Sequence, residues 1–303
     1  MMRLGLVGCG RLAEIGYAPA ARRSGAVEIA AVADPDSARR AAVAQDTPGY
    51  GSAAELIAAG GVDALVLATP AAAHLADARL AAGAGLPTLV EKPPAPDAPA
   101  ARALAELAPP PWIGFNRRFE PMVERLAAAV PSGGQRLNVE VSLRYRRASW
   151  SPVVVRDDAL LDLGPHVVDL ATWLTRSRTK RVRALHVTPG RATLELELEG
   201  GTALLECATD HRYRERFEIA RESGERIGRA PRGGLVRGAA ARLAPWRPHP
   251  LVVSLQHQLD AFAAAARGES PGPLGTAAEG ARVMAVLDAA RGSAAGGAVW
   301  RTV

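Results

Sequence analysis

Gly8-Cys9-Gly10-Arg11-Leu12-Ala13 is the stretch that decides the fold. It follows the apolar run Leu4–Val7 and opens residues 11–24, which can form a helix. The stretch matches G-x-G-x-x-G/A in its strand–turn–helix setting. Gly8 allows the tight turn, Gly10 lets a pyrophosphate approach the backbone, and Ala13 is small enough for the helix to pack on the strand. An anion held there meets the free N–H groups and positive dipole end of a helix N-terminus. Asp34 closes the next apolar run, Val27–Ala33, 24 residues after Gly10. A carboxylate at that place can bind both ribose hydroxyls and repels a 2′-phosphate. NAD is therefore preferred over NADP, with Arg39 and Arg40 able to soften the preference. Cys9 reads as a small turn residue rather than a reactive thiol.

Further apolar runs at Val62–Ala68, Thr88–Val90 and Trp112–Phe115 alternate with helical stretches at 36–45, Ala53–Ala59, Ala71–Ala82 and 98–107. Strands and helices in that rhythm predict an α/β fold with a doubly wound parallel sheet over residues 1–118. Beyond this point the texture changes. A helix is expected at 121–130. Arg136–Arg146 then alternates, with Leu137, Val139, Val141, Leu143 and Tyr145 on one face, as a strand with one wet side does. An amphipathic helix spans 160–174. Strands follow one another at 182–188, 192–198, 202–209 and His211–Ala220, which predicts an α+β second domain over 119–303 with an open, mainly antiparallel sheet. Residues 224–250 are rich in Gly, Arg and Pro and read as irregular. Helices at 251–267 and 276–291 and a short strand near Val299 close the chain.

Composition narrows the class. The 303 residues are 48% hydrophobic and 22% charged, which excludes a mostly disordered chain. Cys9 and Cys207 lie far apart in no metal-ligand spacing, so no metal site is expected and a reducing cytoplasm is the default. Neither a signal peptide nor an apolar run of the ~18 residues a membrane span needs is read. The net charge is +6, yet of the 37 basic residues only Lys92 and Lys180 are lysine. That bias looks like background arginine usage, and no specific nucleic-acid partner is expected. It also raises the question of why lysine stands at 92.

Three further groups sit where open α/β sheets and helix faces carry chemistry. Thr69-Pro70 ends the third strand, with His74 on the following helix. His74 can touch the cofactor crevice or serve as a capping or packing residue. Glu91-Lys92-Pro93-Pro94 ends the fourth strand. The Lys92 ammonium can lie near a nicotinamide and favour an alkoxide as hydride leaves, or be an exposed lysine in a proline-rich loop. Asp162 and His166 are four apart, so a helical turn puts them on one face. His166 suits proton transfer near neutral pH, with Asp162 orienting it; the alternative is a helix start capped by Asp162.

Together GLVGCGRLA (5–13), VADPD (32–36), ATPAAAH (68–74), VEKPP (90–94), GFNRRFEP (114–121), LLDLGPHVVDLATWL (160–174) and GTAAEGARVMAVLDAARGSAAGGAVW (275–300) resemble the Gfo/Idh/MocA oxidoreductases over nearly the whole chain. The resemblance implies an N-terminal Rossmann domain and a C-terminal α/β domain that binds substrate and assembles dimers or tetramers through its sheet. It implies a catalytic set at Lys92, Asp162 and His166, and substrate contacts at Asn116, Arg117, His211 and Tyr213. His211 departs from the aromatic residue the family pattern implies. The cofactor set is Gly8, Gly10, Arg11, Leu12, Asp34, Thr69, Pro70, His74, Glu91 and Lys92. The expected activity is NAD(P)-dependent hydride transfer to or from a secondary carbinol of a sugar, polyol or sugar derivative. Transient use of bound NAD in glycoside cleavage or internal redox, and dinucleotide binding without catalysis, are the alternatives. The arginines of 224–250 (Arg226, Arg229, Arg232, Arg237, Arg242 and Arg247) could grip a phosphate or form a solvated loop.

Overall fold

The computed structural model describes residues 1–44, 46–131, 133, 135–147, 157–233 and 249–303, with 232 and 233 as backbone alone. The contacts divide the chain into two units, Met1–Glu120 with Pro248–Ala281, and Pro121–Arg247 with Arg282–Val303. This differs from the single boundary expected at 118/119, because a late helix returns to the first unit.

In the first unit the strands are β1 (Met2–Val7), β2 (Val27–Ala33), β3 (Gly49–Tyr50), β4 (Ala64–Leu67), β5 (Thr88–Glu91), β6 (Trp112–Gly114) and β13 (Gly275–Thr276). They lie in the order β13-β6-β5-β4-β1-β2-β3. β1 is paired in parallel with both β2 and β4, so the chain winds outward in two directions from β1. β13 alone in this sheet runs antiparallel, against β6; neither β3 nor β13, each two residues long, has a readable period. Among the helices are a π-helical turn (Ala13–Tyr17), α1 (Ala18–Arg23), α2 (Ser37–Ala44), α3 (Ala53–Ala59), α4 (Ala71–Gly83), α5 (Ala98–Ala105) and α8 (Pro250–Ala266).

Burial explains why α8 belongs here. Val252, Leu255, Leu259, Phe262 and Ala263 enter one core cluster with Leu4, Tyr17, Ala20 and Ala21. A Cβ on Gly16 would stand 2.7 Å from Leu255 Cδ1, so glycine lets the π-helical turn lie close against α8. Full burial of a large apolar side chain contributes about 1.5–3 kcal/mol. Loop closure grows only by about 0.6 kcal/mol per doubling of length, so a long excursion does not prevent the return.

The second unit contains α6 (Pro121–Ala129), β7 (Leu137–Arg146), α7 (Ala159–Thr175), β8 (Thr179–Thr188), β9 (Arg191–Leu198), β10 (Gly201–Ala208), β11 (Asp210–Arg221), β12 (Arg226–Gly233), most of α9 (Ala277–Ala295) and β14 (Arg301–Thr302). The sheet order is β12-β11-β7-β10-β9-β8-β14. All pairs are antiparallel except β10 with β7. The expected alternation holds in β7, where Leu137, Val139, Val141 and Leu143 are buried. β12 corrects the irregular reading over 226–233: Phe217 faces Ala230 and Arg216 faces Pro231 in its ladder with β11. Pro231 is tolerated because β12 is an edge strand. Arg237, Arg242 and Arg247 lie outside the described residues.

α7 begins on Asp158, whose carboxylate accepts from Leu161 N at 2.8 Å and pairs with Arg291 at 2.9 Å. Gly164 permits close packing, since a Cβ there would stand 2.9 Å from Leu287 of α9.

Candidate functional site

The turn after β1 is built from backbone. Gly8 has φ +94°, and a Cβ on it would lie 2.6 Å from the Ala68 carbonyl carbon and oxygen. Only glycine combines that φ with that approach. A Cβ on Gly10 would meet nothing within 4 Å, so the backbone there faces open space. Asp34, 7% exposed, is fastened to this turn: its Oδ2 accepts from Cys9 N and its Oδ1 from Asp36 N, both at 2.9 Å. Each carboxylate oxygen has two lone pairs, so the group keeps acceptor capacity for hydroxyls. An open glycine turn beside a fixed carboxylate fits a dinucleotide, pyrophosphate at the turn and ribose at Asp34. Burial, then the charge of Asp34, pushes the Cys9 thiol up to about 11, as suits a turn residue rather than a nucleophile. Arg11 pairs with Glu14 at 3.1 Å on the surface, while Leu12 is partly buried against the core. Arg40 donates from Nη1 to the Asp34 carbonyl at 2.5 Å, and Arg39 pairs with Asp36 at 3.6 Å.

At the end of β4, Thr69 donates its hydroxyl to Asp77 at 3.3 Å, and Pro70 precedes α4. His74 is 1% exposed, with Nε2 2.8 Å from the Thr69 carbonyl and Nδ1 3.2 Å from the Pro94 carbonyl. Burial lowers its pKa, although the carbonyl partners act in the opposite direction. The neutral ring has one N–H to donate to one of these carbonyls, and it sits between the loop after β4 and the loop after β5. Its burial fits the packing role that the sequence also allowed.

Glu91 is likewise an internal strut. Its Oε1 accepts from the Tyr17 hydroxyl at 2.6 Å, and its Oε2 accepts from Lys92 N at 2.9 Å. Gln258 of α8 donates Nε2 to the Tyr17 oxygen at 3.2 Å, extending the chain to three side chains. Burial raises the Glu91 pKa, partly countered by the Tyr17 hydrogen bond and the Lys92 charge. Neither Tyr17 nor Gln258 carried a signal in the sequence beyond an apolar or polar place on a helix. Glu91, 5% exposed, fixes the backbone of Lys92.

Asn116 donates Nδ2 to the Ser254 hydroxyl of α8 at 3.2 Å. Arg117 pairs with Glu120 at 3.3 Å. The adjacent Arg118 is buried, over the Phe115 ring and paired with Glu279 at 3.2 Å, and clamps the segment after β6.

In the second unit Asp162 and His166 lie one turn apart on α7, and His166 is 6% exposed. Asp162 Oδ2 accepts from the Tyr145 hydroxyl at the end of β7 and from Arg147 Nη2 at 2.8 Å. Arg147 was missed because its contact lies 15 residues away; Tyr145 was recognised only as an apolar-face residue. His211 contacts Asp210, and Tyr213 is half exposed. The alternation expected to align His211 with Tyr213 is not a regular ladder: Asp210 faces Arg146 and Arg214 faces Arg144, four steps on β11 against two on β7. Among the described residues no group of three or more His, Cys, Asp or Glu could hold a metal. No helix among them is long and apolar enough to cross a membrane.

A family model described as an oxidoreductase family with an NAD-binding Rossmann fold, Gfo/Idh/MocA, matches residues 2–110. Rhizopine catabolism protein MocA of Rhizobium meliloti is 31% identical over 310 residues, covering 95% of this chain and 93% of that one. The chain belongs to the Gfo/Idh/MocA family. Inositol 2-dehydrogenase of Corynebacterium glutamicum is 32% identical over 189 residues, 60% of this chain, and the match spans 56% of that relative's length. Myo-inositol dehydrogenase of Lactobacillus casei, solved with NAD(H) and myo-inositol, shares the fold with a TM-score of 0.80 at 18% identity, covering 100% of this chain and 97% of that one.

Proposed function

We propose that this protein is an NAD-dependent oxidoreductase acting on a secondary carbinol, or the matching ketone, of a polyol, sugar or sugar derivative. The observation that carries the reading is Asp34 fixed to the glycine turn through Cys9 N at 2.9 Å. It sets a ribose-binding carboxylate beside a phosphate-binding backbone, and the carboxylate disfavours a 2′-phosphate. The relatives that act on inositols support the substrate class.

When bound, NAD supplies a hydride acceptor in oxidation and its reduced form a donor in reduction. His166 takes the substrate hydroxyl proton in oxidation and returns it in reduction. Lys92, a compact ammonium held through its backbone by Glu91, stabilises the developing oxyanion. Asp162 orients His166 and the substrate. Asn116, Arg117, His211 and Tyr213 are proposed substrate contacts, and Gly8, Gly10, Arg11, Leu12, Thr69 and Pro70 line the cofactor. The second unit's sheet is proposed to join copies into a dimer or tetramer, which light scattering of the purified protein measures. Both cysteines are free and buried, which suits a reducing compartment such as the cytoplasm.

The test is NADH or NADPH formation from a panel of inositols, aldoses and nucleotide sugars, each with NAD and with NADP. His166→Ala and Lys92→Ala proteins that still bind NAD should each lose about 10²–10⁴-fold in turnover. Undiminished rates in both would remove the assignment.

A further inference from the structure

Asp162 is held from outside its own helix. Its Oδ2 takes the Tyr145 hydroxyl and, at 2.8 Å, Arg147 Nη2. The other end of the guanidinium is fixed too, since Arg147 Nη1 donates to the Asp157 carbonyl. Arg147 therefore bridges the chain just before α7 to the first turn of α7. The Arg147 and Asp162 side chains are each 19% exposed, so solvent screens their pairing less than it would a surface pair.

The donors keep their protons. Burial, followed by the Asp162 charge, drives the Tyr145 hydroxyl well above the usual phenol range. Burial pulls the Arg147 guanidinium down, but its bonds to Asp162 and Tyr145 outweigh this and leave it raised. Among the described residues, the other titratable groups around this turn are engaged elsewhere or uncharged. Asp158 pairs with Arg291 of α9 at 2.9 Å. Cys207 arrives from β10 as a neutral thiol, pushed by burial up to about 12. Asp157 enters through its backbone carbonyl, and His166 lies one turn on along α7.

We infer that Tyr145 and Arg147 are positioning residues that fix the direction and the ionised state of Asp162 for the reaction proposed above. The inference rests on that reading of Asp162. Two donors on one oxygen restrict carboxylate rotation. The adjacent cation favours the anion over the protonated acid. A fixed anion one turn from His166 in turn favours the imidazolium formed when His166 accepts the substrate proton. Neither residue needs to touch the reacting atoms.

The experiment compares the NAD-loaded wild type with Arg147→Met, Arg147→Lys, Tyr145→Phe and Asp162→Asn. Carboxyl-carbon NMR of aspartate-labelled protein follows the Asp162 titration, assigned by the signal lost in Asp162→Asn. Initial rates give kcat/KM against pH. In Arg147→Met the Asp162 titration and the acidic limb of kcat/KM should both move to higher pH. The value of kcat/KM at neutral pH should fall about tenfold, the scale of one charge-assisted hydrogen bond. Arg147→Lys should restore most of the titration. Tyr145→Phe, which keeps the ring, should shift it in the same direction by less. An Asp162 titration unmoved in both Arg147→Met and Tyr145→Phe overturns the inference, whatever the rates. A titration that moves while Asp162→Asn turns over at the wild-type rate instead removes Asp162 from the reaction.

Discussion

The glycine turn of the first unit and the Asp162 cluster of the second hold their carboxylates by opposite means. Asp34 is fixed by backbone amides, Cys9 N and Asp36 N, supplied by the turn and by its own loop. Asp162 is fixed by side chains, Tyr145 and Arg147, which reach it only because α7 packs against the sheet containing β7. A backbone grip depends on conformation, so residue types that permit that conformation announce it. A side-chain grip depends on packing between distant segments and leaves no local mark.

That contrast predicts unequal sensitivities. Gly8→Ala should have the largest effect, because it meets both the φ of +94° and a 2.6 Å approach to the Ala68 carbonyl. Unfolding in denaturant should show a loss of about 3 kcal/mol or more, and calorimetric titration should show NAD binding lost. Wild-type affinity in that variant would break the account of the turn. Tyr17→Phe comes next. It strips a buried donor from Glu91 and leaves Gln258 Nε2 without its acceptor, at a cost of about 1–3 kcal/mol. The accompanying Lys92 displacement should lower kcat more than it changes NAD affinity. Asp158→Ala removes the α7 cap and should cost about 1 kcal/mol in the same unfolding assay.

The smallest effect is a pH dependence. His74 has a folded-state pKa lowered by burial, so between that value and its unfolded value of about 6.5 the unfolded chain binds the extra proton. Its contribution to stability is present above the unfolded pKa and is lost as pH falls through the window down to the folded one. Stability measured at pH 7.5 and pH 5 should therefore fall less steeply in His74→Asn than in the wild type. Equal slopes would show that this ring does not carry the dependence.

The spacing of Gly8, Gly10 and Asp34 and the strand–helix rhythm of residues 1–118 were legible because each is a local requirement. Glu91-Lys92 and Asp162/His166 were visible as motifs, but their surroundings were not. The structure buries Glu91 and His74 and sets their polar atoms against neighbouring loops and helices, which neither motif announces. β12 was hidden by its composition, since an edge strand can carry arginine, glycine and Pro231 that a central strand would reject.

By itself the sequence determined the parallel sheet, the glycine turn and its acidic partner, because backbone conformation and hydrophobic period act over a few residues. The tertiary structure alone decided that α8 completes the first unit's core, that Tyr17 and Gln258 support Glu91, and that Tyr145 and Arg147 hold Asp162. Those outcomes depend on which distant surfaces bury each other, and a side chain tens or hundreds of residues away leaves no periodicity at the position it contacts.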